Sequence, residues 1–113
     1  MRMACLCPTF RRRPALVENI IACFLNQTYP AELRRLIVLD DGGTLPPTAK
    51  DNWQIVVTQH RYPGLPAKYN ALVRLAGDAE ALVVWEDDDI YLPWWLESVA
   101  KVLREHPWSH PRE

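Results

Sequence analysis

Hydrophobic and polar positions divide the chain into two alternating kinds of segment. Short runs dominated by apolar residues occupy positions 3–7, 35–39, 54–58 and 81–85. Such runs are typical of strands whose two faces are both buried. Between most of them, apolar residues recur every three or four positions, which predicts amphipathic helices. The alternation predicts an α/β domain with a mostly parallel sheet and flanking helices.

Prolines mark the starts of the predicted helices. Pro14, Pro66 and Pro93 each precede a helical apolar pattern, and proline suits the first position of a helix, where its missing N–H costs nothing. Gly77 is predicted to cap the second helix, and Pro8 to end the first strand. The connection between the second and third strands carries no helical pattern, so it does not by itself specify how these two strands pair.

Polar groups follow the strands at the sheet edge where parallel sheets bind their ligands. They comprise Thr9 after the first strand, Asp40 and Asp41 after the second, His60 and Arg61 after the third, and the run Glu86-Asp87-Asp88-Asp89 after the fourth. Because the carboxyl ends of parallel strands meet at one edge, these groups are expected to converge there. This convergence is the main physical indication of a functional site.

Length and charge exclude several classes of protein. The chain has 113 residues, of which 49% are hydrophobic, and its net charge is −1. This length predicts one small folded domain at residues 1–105, followed by an irregular tail at residues 106–113. The balanced charge argues against nucleic-acid binding through a broad basic surface. No apolar run approaches the roughly 18–20 residues that span a bilayer, so no transmembrane segment is predicted.

The cysteines indicate a reducing compartment. There are three, an odd number, and no export signal precedes them. We therefore expect free thiols and a cytoplasmic location. Cys5 and Cys7 are expected to be core thiols, because a zinc site needs about four ligands and no second cysteine pair is present.

The acidic run at residues 86–89 is the clearest candidate for chemistry. Consecutive carboxylates repel one another unless a cation is present, and Mg²⁺ or Mn²⁺ takes carboxylate oxygens together with water and substrate phosphates. Such a metal can stabilise charge that builds up on a leaving diphosphate. The alternative is a solvated acidic turn that favours the N-terminus of the following helix.

Several other residues near this edge allow two interpretations each. Asp40 and Asp41 suit recognition of a base or ribose, but Asp-Gly is also a common turn dipeptide. Phe10 either stacks on a base or belongs to the core. Lys68, near a helix N-terminus, either contacts phosphate or is an ordinary surface lysine.

Clusters of arginine and tryptophan are equally open. Residues 11–13, three consecutive arginines, form either a solvated basic patch or a phosphate contact. Trp94 and Trp95 either pack in the core, which is favoured, or offer a stacking face to a sugar.

Five short motifs in a fixed order resemble the start of a family 2 glycosyltransferase of the GT-A fold. They are Cys7-Pro8-Thr9-Phe10, Asn26-Gln27-Thr28-Tyr29-Pro30, Ile37-Val38-Leu39-Asp40-Asp41-Gly42-Gly43, Pro66-Ala67-Lys68-Tyr69-Asn70 and Glu86-Asp87-Asp88-Asp89-Ile90-Tyr91-Leu92-Pro93. The resemblance extends from residue 3 to about residue 104. It implies the nucleotide-sugar-binding half of such an enzyme, with UDP-sugar as the commonest donor and a divalent metal, Mn²⁺ or Mg²⁺, as cofactor.

The resemblance also implies roles for individual residues. Pro8, Thr9 and Phe10 would line the base, Asp41 would accept hydrogen bonds from it, and Asp40 would support the loop. Lys68 stands where the family usually has arginine, near the nucleotide and its phosphates. In the acidic run, Glu86 replaces the usual first aspartate, Asp87 takes the variable or ribose-facing position, and Asp88 would bind the metal.

One part of the family pattern has no counterpart in this sequence. The acceptor half, which carries the general base, follows the acidic element in the family, whereas only about twenty residues follow it here. We therefore assign no catalytic base or acceptor. A non-catalytic nucleotide-binding module, or a remnant that a partner chain or self-association completes, is the alternative.

Overall fold

A computed structural model describes residues 1–106 of the chain. Its sheet contains β1 (Met3–Thr9), β2 (Arg34–Asp40), β3 (Thr48–Ala49), β4 (Trp53–Val57) and β5 (Ala81–Val84). The helices are α1 (Pro14–Leu25), α2 (Leu65–Ala76) and α3 (Trp95–Glu105), with a short 3₁₀ turn at Ala31–Leu33. The strand order is β3-β4-β2-β1-β5, and all neighbours are parallel except β3 and β4. The predicted α/β fold with a mostly parallel sheet is confirmed.

Both faces of the sheet are covered, which explains the nearly uninterrupted apolar runs. On one face, β1 and β2 pack against α1 and α3 through a larger core. Its fully buried members include Cys5, Leu36, Val38, Phe24, Trp85 and Leu96. On the opposite face, a smaller core joins the sheet to α2. It is formed by Ala4, Leu6, Ile37, Leu39, Ala71, Leu72 and Ala76. Alternate residues of each central strand therefore serve different cores.

β1 continues through Pro8 to Thr9, so the predicted end of the strand at residue 7 is two residues too early. β5 pairs with β1 only at residues 3–6, and the last main-chain contact on that side is the Trp85 N–H donated to the Leu6 carbonyl at 2.9 Å. The main-chain groups of alternate residues in a strand point to the same side. The Pro8 nitrogen therefore faces the same side as the Leu6 carbonyl, at a level beyond the last residue of β5. Its missing N–H interrupts no ladder.

The second and third predicted strands pair directly. β2 and β4 are parallel neighbours, with Val38 opposite Ile55. The connection between them, which carries no helical pattern, contains the two-residue strand β3, which runs antiparallel to β4. A strand this short has no periodicity that a sequence pattern could reveal.

The last helix begins at Trp95 and not at the predicted Pro93. Pro93 instead offers its carbonyl to the Thr28 N–H at 2.8 Å, a contact with the end of α1. The predicted cap of α2 is confirmed, because Gly77 adopts a left-handed φ of 62° there.

The remaining expectations on organisation concern the ends of the chain and the membrane. Of the predicted tail at residues 106–113, only His106 is described, and it forms the C-cap of α3. The other tail residues lie outside the described part. None of the helices within residues 1–106 has the length and apolar character that crossing a bilayer requires.

Candidate functional site

The polar groups after β1, β2 and β5 meet in one cleft, at the sheet edge that the sequence predicts. The cleft has a volume of about 460 Å³. Its walls comprise Pro8, Thr9, Phe10, Arg11, Arg12, Asp41, Arg61, Tyr62, Gly64, Leu65, Lys68 and Asp87. Six of the eight residues predicted for the site line it directly. The other two, Asp40 and Asp88, are not among its lining residues.

A buried ion pair forms the floor of the cleft. Lys68 Nζ lies 2.6 Å from Asp41 Oδ1, and the two side chains are 8% and 3% exposed. The same ammonium donates to the Thr9 carbonyl at 2.5 Å. Lys68 therefore joins α2 to the ends of β1 and β2, and it is not the exposed surface lysine that was the alternative interpretation.

Asp41 also fixes the loop that follows β4. Its Oδ2 accepts the Tyr62 N–H at 2.8 Å, so both carboxylate oxygens have partners. Burial on its own raises the pKa of Asp41, but the hydrogen bonds from Lys68 and Tyr62, with the positive charge of Lys68, outweigh it and lower that pKa overall. Asp41 is thus ionised and held rigidly.

Asp40 supports the loop from beneath. It is fully buried and accepts main-chain N–H groups from Gly42 at 2.8 Å, Thr44 at 3.0 Å and Leu45 at 2.9 Å. A carboxylate that replaces missing main-chain partners in this way organises a tight turn. Asp40 therefore contacts the main chain of the loop at three positions.

Asp87 connects the acidic run to the cleft. Its Oδ2 accepts the Thr9 hydroxyl at 2.9 Å and Arg12 Nε at 3.0 Å. These contacts bring β1, the arginine run and the segment after β5 together at one carboxylate. Arg12 is therefore paired with Asp87. Of the three consecutive arginines, Arg12 is thus not part of a purely solvated basic patch.

Phe10 carries two cations on its ring. The Arg61 guanidinium lies 3.9 Å from the ring centroid, and that of Arg11 lies 5.1 Å from it. Phe10 is half-buried and lines the cleft, so it is not a core residue. The sequence resemblance puts a base against this ring, and the structure adds guanidinium groups to the same surface.

The other three carboxylates of the acidic run gather beside the cleft. Glu86, Asp88 and Asp89 are exposed, and each can place one oxygen within 4.8 Å of the others. A hydrogen bond shared with the Asp89 carboxyl, and the negative charge of that residue, raise the pKa of Glu86. A set of hard, mutually repelling oxygen ligands fits Mg²⁺ or Mn²⁺. The family resemblance implies Asp88 alone as the metal ligand, and the structure puts Glu86 and Asp89 next to it.

Aromatic residues hold the acidic run from behind. Tyr91 stacks on the buried Trp85 with ring centroids 3.9 Å apart, and its hydroxyl accepts the Glu86 N–H at 2.7 Å. The indole N–H of Trp85 is donated to the Ile20 carbonyl at 3.2 Å. The main chain of the run is therefore anchored, although three of its carboxylates face solvent.

Gln27 fixes the far end of the same segment. Its side-chain nitrogen donates to the Leu92 carbonyl at 2.9 Å, and its side-chain oxygen accepts the Leu96 N–H at 2.9 Å. This explains the Gln27 position of the second motif, because one buried amide joins the end of α1 to the start of α3.

Trp94 and Trp95, at the start of α3, are 51% and 39% exposed, so the expected packing of these side chains in the core is wrong.

Sequence comparison identifies the family. The family model described as "Glycosyl transferase family 2" matches residues 5–109 of the chain, which is most of its length. The chain belongs to glycosyl transferase family 2. A comparison with curated proteins finds no match.

Solved structures show the same fold for this family 2 chain. The crystal structure of S. aureus TarS superimposes with a TM-score of 0.72 at 17% identity, covering 95% of this chain and 20% of that one. TarS 1-349 in complex with UDP gives 0.73 at 18% identity, with 95% and 33% covered. TarS 1-349 in complex with UDP-GlcNAc gives 0.71 at 17% identity, with 95% and 32% covered. The chain spans a fifth to a third of these structures.

Proposed function

We propose that this chain is the donor-binding part of a glycosyltransferase and binds a nucleotide-sugar in the cleft together with a divalent metal. One observation carries the proposal. Consecutive residues of the segment after β5 serve two adjoining sites, since Asp87 lines the cleft while Glu86, Asp88 and Asp89 gather next to it. A ligand with a uridine or similar nucleoside at one end and a diphosphate at the other has matching chemistry.

The family and its structural neighbours support a uridine nucleotide as donor. Two of the TarS structures with this fold contain UDP and UDP-GlcNAc. At 17–18% identity these structures support the fold of the site, and the choice of UDP-sugar for this chain is our proposal. The sugar itself is left open.

The proposed roles for the base and ribose are those that the family resemblance implies, and the residues concerned line the cleft. Phe10, with Pro8 and Thr9, lines the base, and Asp41 accepts hydrogen bonds from its N–H donors. Asp87 faces the ribose. Lys68 acts by holding Asp41 and Thr9 in place, because both of its observed contacts are to these two residues.

Glu86, Asp88 and Asp89 would hold the metal, with Asp88 as the ligand that the family resemblance implies. A bound Mn²⁺ or Mg²⁺ supplies Lewis-acid stabilisation of the charge on the departing diphosphate. In its absence, these three residues keep their oxygens close at an electrostatic cost, since the pKa of Glu86 is raised by its neighbour Asp89.

The transfer step itself needs an acceptor and a general base, and we assign neither to a residue of this chain. A second candidate function is therefore a nucleotide-binding module that a partner or a second copy completes. The edge strand β5 favours it, because Leu82 and Val84 are 47% and 50% exposed there. Apolar edge strands of this kind invite association.

A cytoplasmic location is also part of the proposal. Cys5, Cys7 and Cys23 are free thiols, and burial raises the pKa of Cys5 and Cys7. Buried protonated thiols of this kind are structural and suit a reducing compartment.

Calorimetric titration with UDP tests the proposal. The purified 113-residue chain is titrated with UDP in the presence of Mn²⁺ and again after EDTA treatment. We expect binding that requires the metal. Asp88→Asn should weaken metal-dependent binding at least tenfold, because it removes a charged ligand.

Asp78→Asn is the matched control. It makes the same charge change at an exposed position between α2 and β5, where the partner is the surface residue Arg2. The control should bind UDP as the wild type does. UDP binding that survives EDTA and Asp88→Asn would contradict the metal assignment, and a folded chain that binds no nucleotide would contradict the proposed function.

A further inference from the structure

The outer side of β5, called the β5 edge below, has no neighbouring strand in the described part of the chain. β5 is the last strand in the sheet order, and within residues 1–106 it pairs with β1 alone. On its inner side, the N–H groups of Ala81 and Trp85 are donated to main-chain carbonyls at 3.0 and 2.9 Å. Main-chain groups alternate in direction along a strand, so those of Leu82 and Val84 point outwards. The β5 edge therefore offers main-chain donors and acceptors to a further strand.

The side chains of this edge are apolar and uncharged. The sequence of β5 is Ala-Leu-Val-Val, and the exposed side chains are those of Leu82 and Val84. Edge strands are commonly protected by a charged side chain or a proline, and β5 has neither. At the opposite edge, β3 contains only two residues, with Pro47 before it and Lys50 after it. One edge of the sheet is thus protected, whereas the β5 edge suits strand addition.

The β5 edge leads into an apolar groove. The groove has a volume of about 450 Å³ and lies between the end of β5 and the start of α3. Six of its lining residues are aliphatic or aromatic and two are acidic: Val84, Ile90, Tyr91, Leu92, Trp94, Trp95, Glu86 and Asp89. Val84 belongs to both the edge and the groove, so one extended segment contacts both. The exposed Trp94 and Trp95 become part of a binding surface in this way.

Both ends of β5 are acidic. Glu80 immediately precedes the strand, and it shares a single cation, Arg2, with Asp78. Glu86 and Asp89 follow the strand, and no basic residue lines the groove beside them. A segment that adds to the β5 edge is therefore stabilised by lysine or arginine at its two ends.

The same charges disfavour a second copy of this chain as the added strand. Antiparallel pairing of two β5 strands, with Leu82 of each copy opposite Val84 of the other, puts Glu80 of each copy opposite Glu86 of the other. Like charges directly opposite one another in a sheet are destabilising. The matching segment is therefore a different one, with positive charge at its ends.

We infer that the β5 edge is the docking site for an extended segment of a partner polypeptide, which adds antiparallel to β5. The segment is apolar at the positions beside Leu82 and Val84, and it carries a lysine or arginine beside the acidic residues at each end. Antiparallel pairing is the more stable arrangement. Main-chain hydrogen bonds supply affinity in such complexes, and contacts of alternate side chains supply specificity. The inference rests on the second candidate function and deepens it by naming the chemistry of the partner.

Titration with a capped peptide in EDTA, without nucleotide, tests the docking site. The probe is Lys-Thr-Val-Thr-Val-Thr-Lys, whose lysines and valines share one face when it is extended. The 113-residue chain should bind it with a Kd below about 1 mM. Replacing both lysines of the peptide with glutamate should weaken binding about tenfold, because it puts like charges opposite one another. N-methylation of both valines removes the N–H donors that face β5 and should weaken binding by about the same factor.

Val84→Lys and Val73→Lys are a matched pair of protein variants. Each adds one positive charge at an exposed valine, the first on β5 and the second on α2. Val84→Lys should weaken peptide binding about tenfold, because it removes an apolar contact and repels the lysines of the peptide. Val73→Lys should stay within about twofold of the wild type, and melting temperatures show that both variants are folded. Equal losses in the two variants would show a general charge effect and overturn the docking site.

Amide hydrogen exchange locates the bound peptide. The Leu82 and Val84 amides should exchange about tenfold more slowly when about nine-tenths of the chain carries peptide, because only the free fraction exchanges. The Ala81 and Trp85 amides, which are already donated towards β1, should change by less than about twofold. Peptide binding that protects neither Leu82 nor Val84 would overturn the placement on β5.

Two further results would overturn the inference. One is a folded wild type that binds no peptide up to about 1 mM. The other is a wild-type dimer in sedimentation experiments that Val84→Lys dissociates, because the β5 edge is then occupied by a second copy.

The docking site and the donor site fail in different ways. Peptide binding by a chain that does not bind UDP with Mn²⁺ would leave the docking site standing and show that the proposed donor site is wrong. UDP binding by a chain that does not bind the peptide would have the reverse meaning.

Discussion

The floor of the cleft and the acidic run beside it balance their charges in opposite ways. Lys68 and Asp41 are buried 2.6 Å apart, and Asp41 has a partner on each oxygen. Glu86, Asp88 and Asp89 are exposed and close together, with like charges as neighbours. Each charge of the floor has an opposite partner within the protein, whereas the acidic run holds like charges whose repulsion a bound cation would relieve.

In these two regions, rigidity of the main chain and balance of charge are separate properties. The main chain of the acidic run is anchored by Tyr91, and the following segment by Gln27, so the carboxylates are held together despite their repulsion. In the floor, the charges themselves provide the connection between α2, β1 and β2. Removing a charge should therefore damage the floor and relieve the acidic run.

The largest effect is expected from Lys68→Met. This change leaves Asp41 buried without its cation, and breaking a buried pair in this way costs about 3–5 kcal/mol. The free energy of unfolding, measured by urea denaturation, should fall by that amount. Lys101→Met on the exposed side of α3 should change it by less than about 0.5 kcal/mol. The double variant Lys68→Met/Asp41→Leu should recover part of the loss, and a single-variant loss below about 1 kcal/mol would contradict the pairing.

A smaller effect is expected from the titration of Asp41. Its pKa is lowered in the folded protein, so its ionised form contributes stability at pH values above the unfolded value of about 3.9. That contribution is lost as the pH falls through the lower folded pKa. The difference in unfolding free energy between wild type and Asp41→Asn should therefore shrink below about pH 4.

The Lys68→Met background provides the control for this titration. Without the ammonium, burial is the leading influence on Asp41 and raises its pKa. Comparing Lys68→Met with Lys68→Met/Asp41→Asn should then show no such decrease on acidification. The same decrease in both backgrounds would mean that Lys68 is not what lowers the pKa.

The smallest effect is expected from Asp89→Asn in EDTA. Removing one of the clustered carboxylates relieves repulsion on Glu86, so the unfolding free energy should stay level or rise, by no more than about 0.5 kcal/mol. With saturating Mn²⁺ the order should reverse, because the wild type gains more from the cation. A loss above about 1 kcal/mol in EDTA would indicate that Asp89 has a structural role of its own.

The fold could be predicted from the sequence because its strands are buried on both faces. Residues 35–39 and 81–85 are apolar enough to identify β2 and β5 without knowledge of their neighbours. β3 was not predicted because a strand of two residues shows no hydrophobic periodicity. α3 begins two residues later than predicted because the Pro93 carbonyl accepts the Thr28 N–H and not one from the helix.

The site could be predicted only in part. Parallel strands bring their carboxyl ends together, which is why Thr9, Asp41 and Asp87 were expected to meet. The division of the acidic run between the cleft and the exposed group depends on side-chain direction, which four identical charges do not reveal. The contact of Arg61 with Phe10 joins residues about fifty positions apart, so no local sequence pattern predicts it.

The stacked pair of Trp85 and Tyr91 gives the protein an internal optical reporter. Trp85 is fully buried, so its fluorescence is that of an indole in an apolar environment, shielded from quenchers in solution. The phenol stacked on it is hydrogen-bonded to the main chain of Glu86, at the start of the acidic run. A movement of that run would therefore be transmitted to the indole, and the emission lost in Trp85→Phe would be the part that reports it.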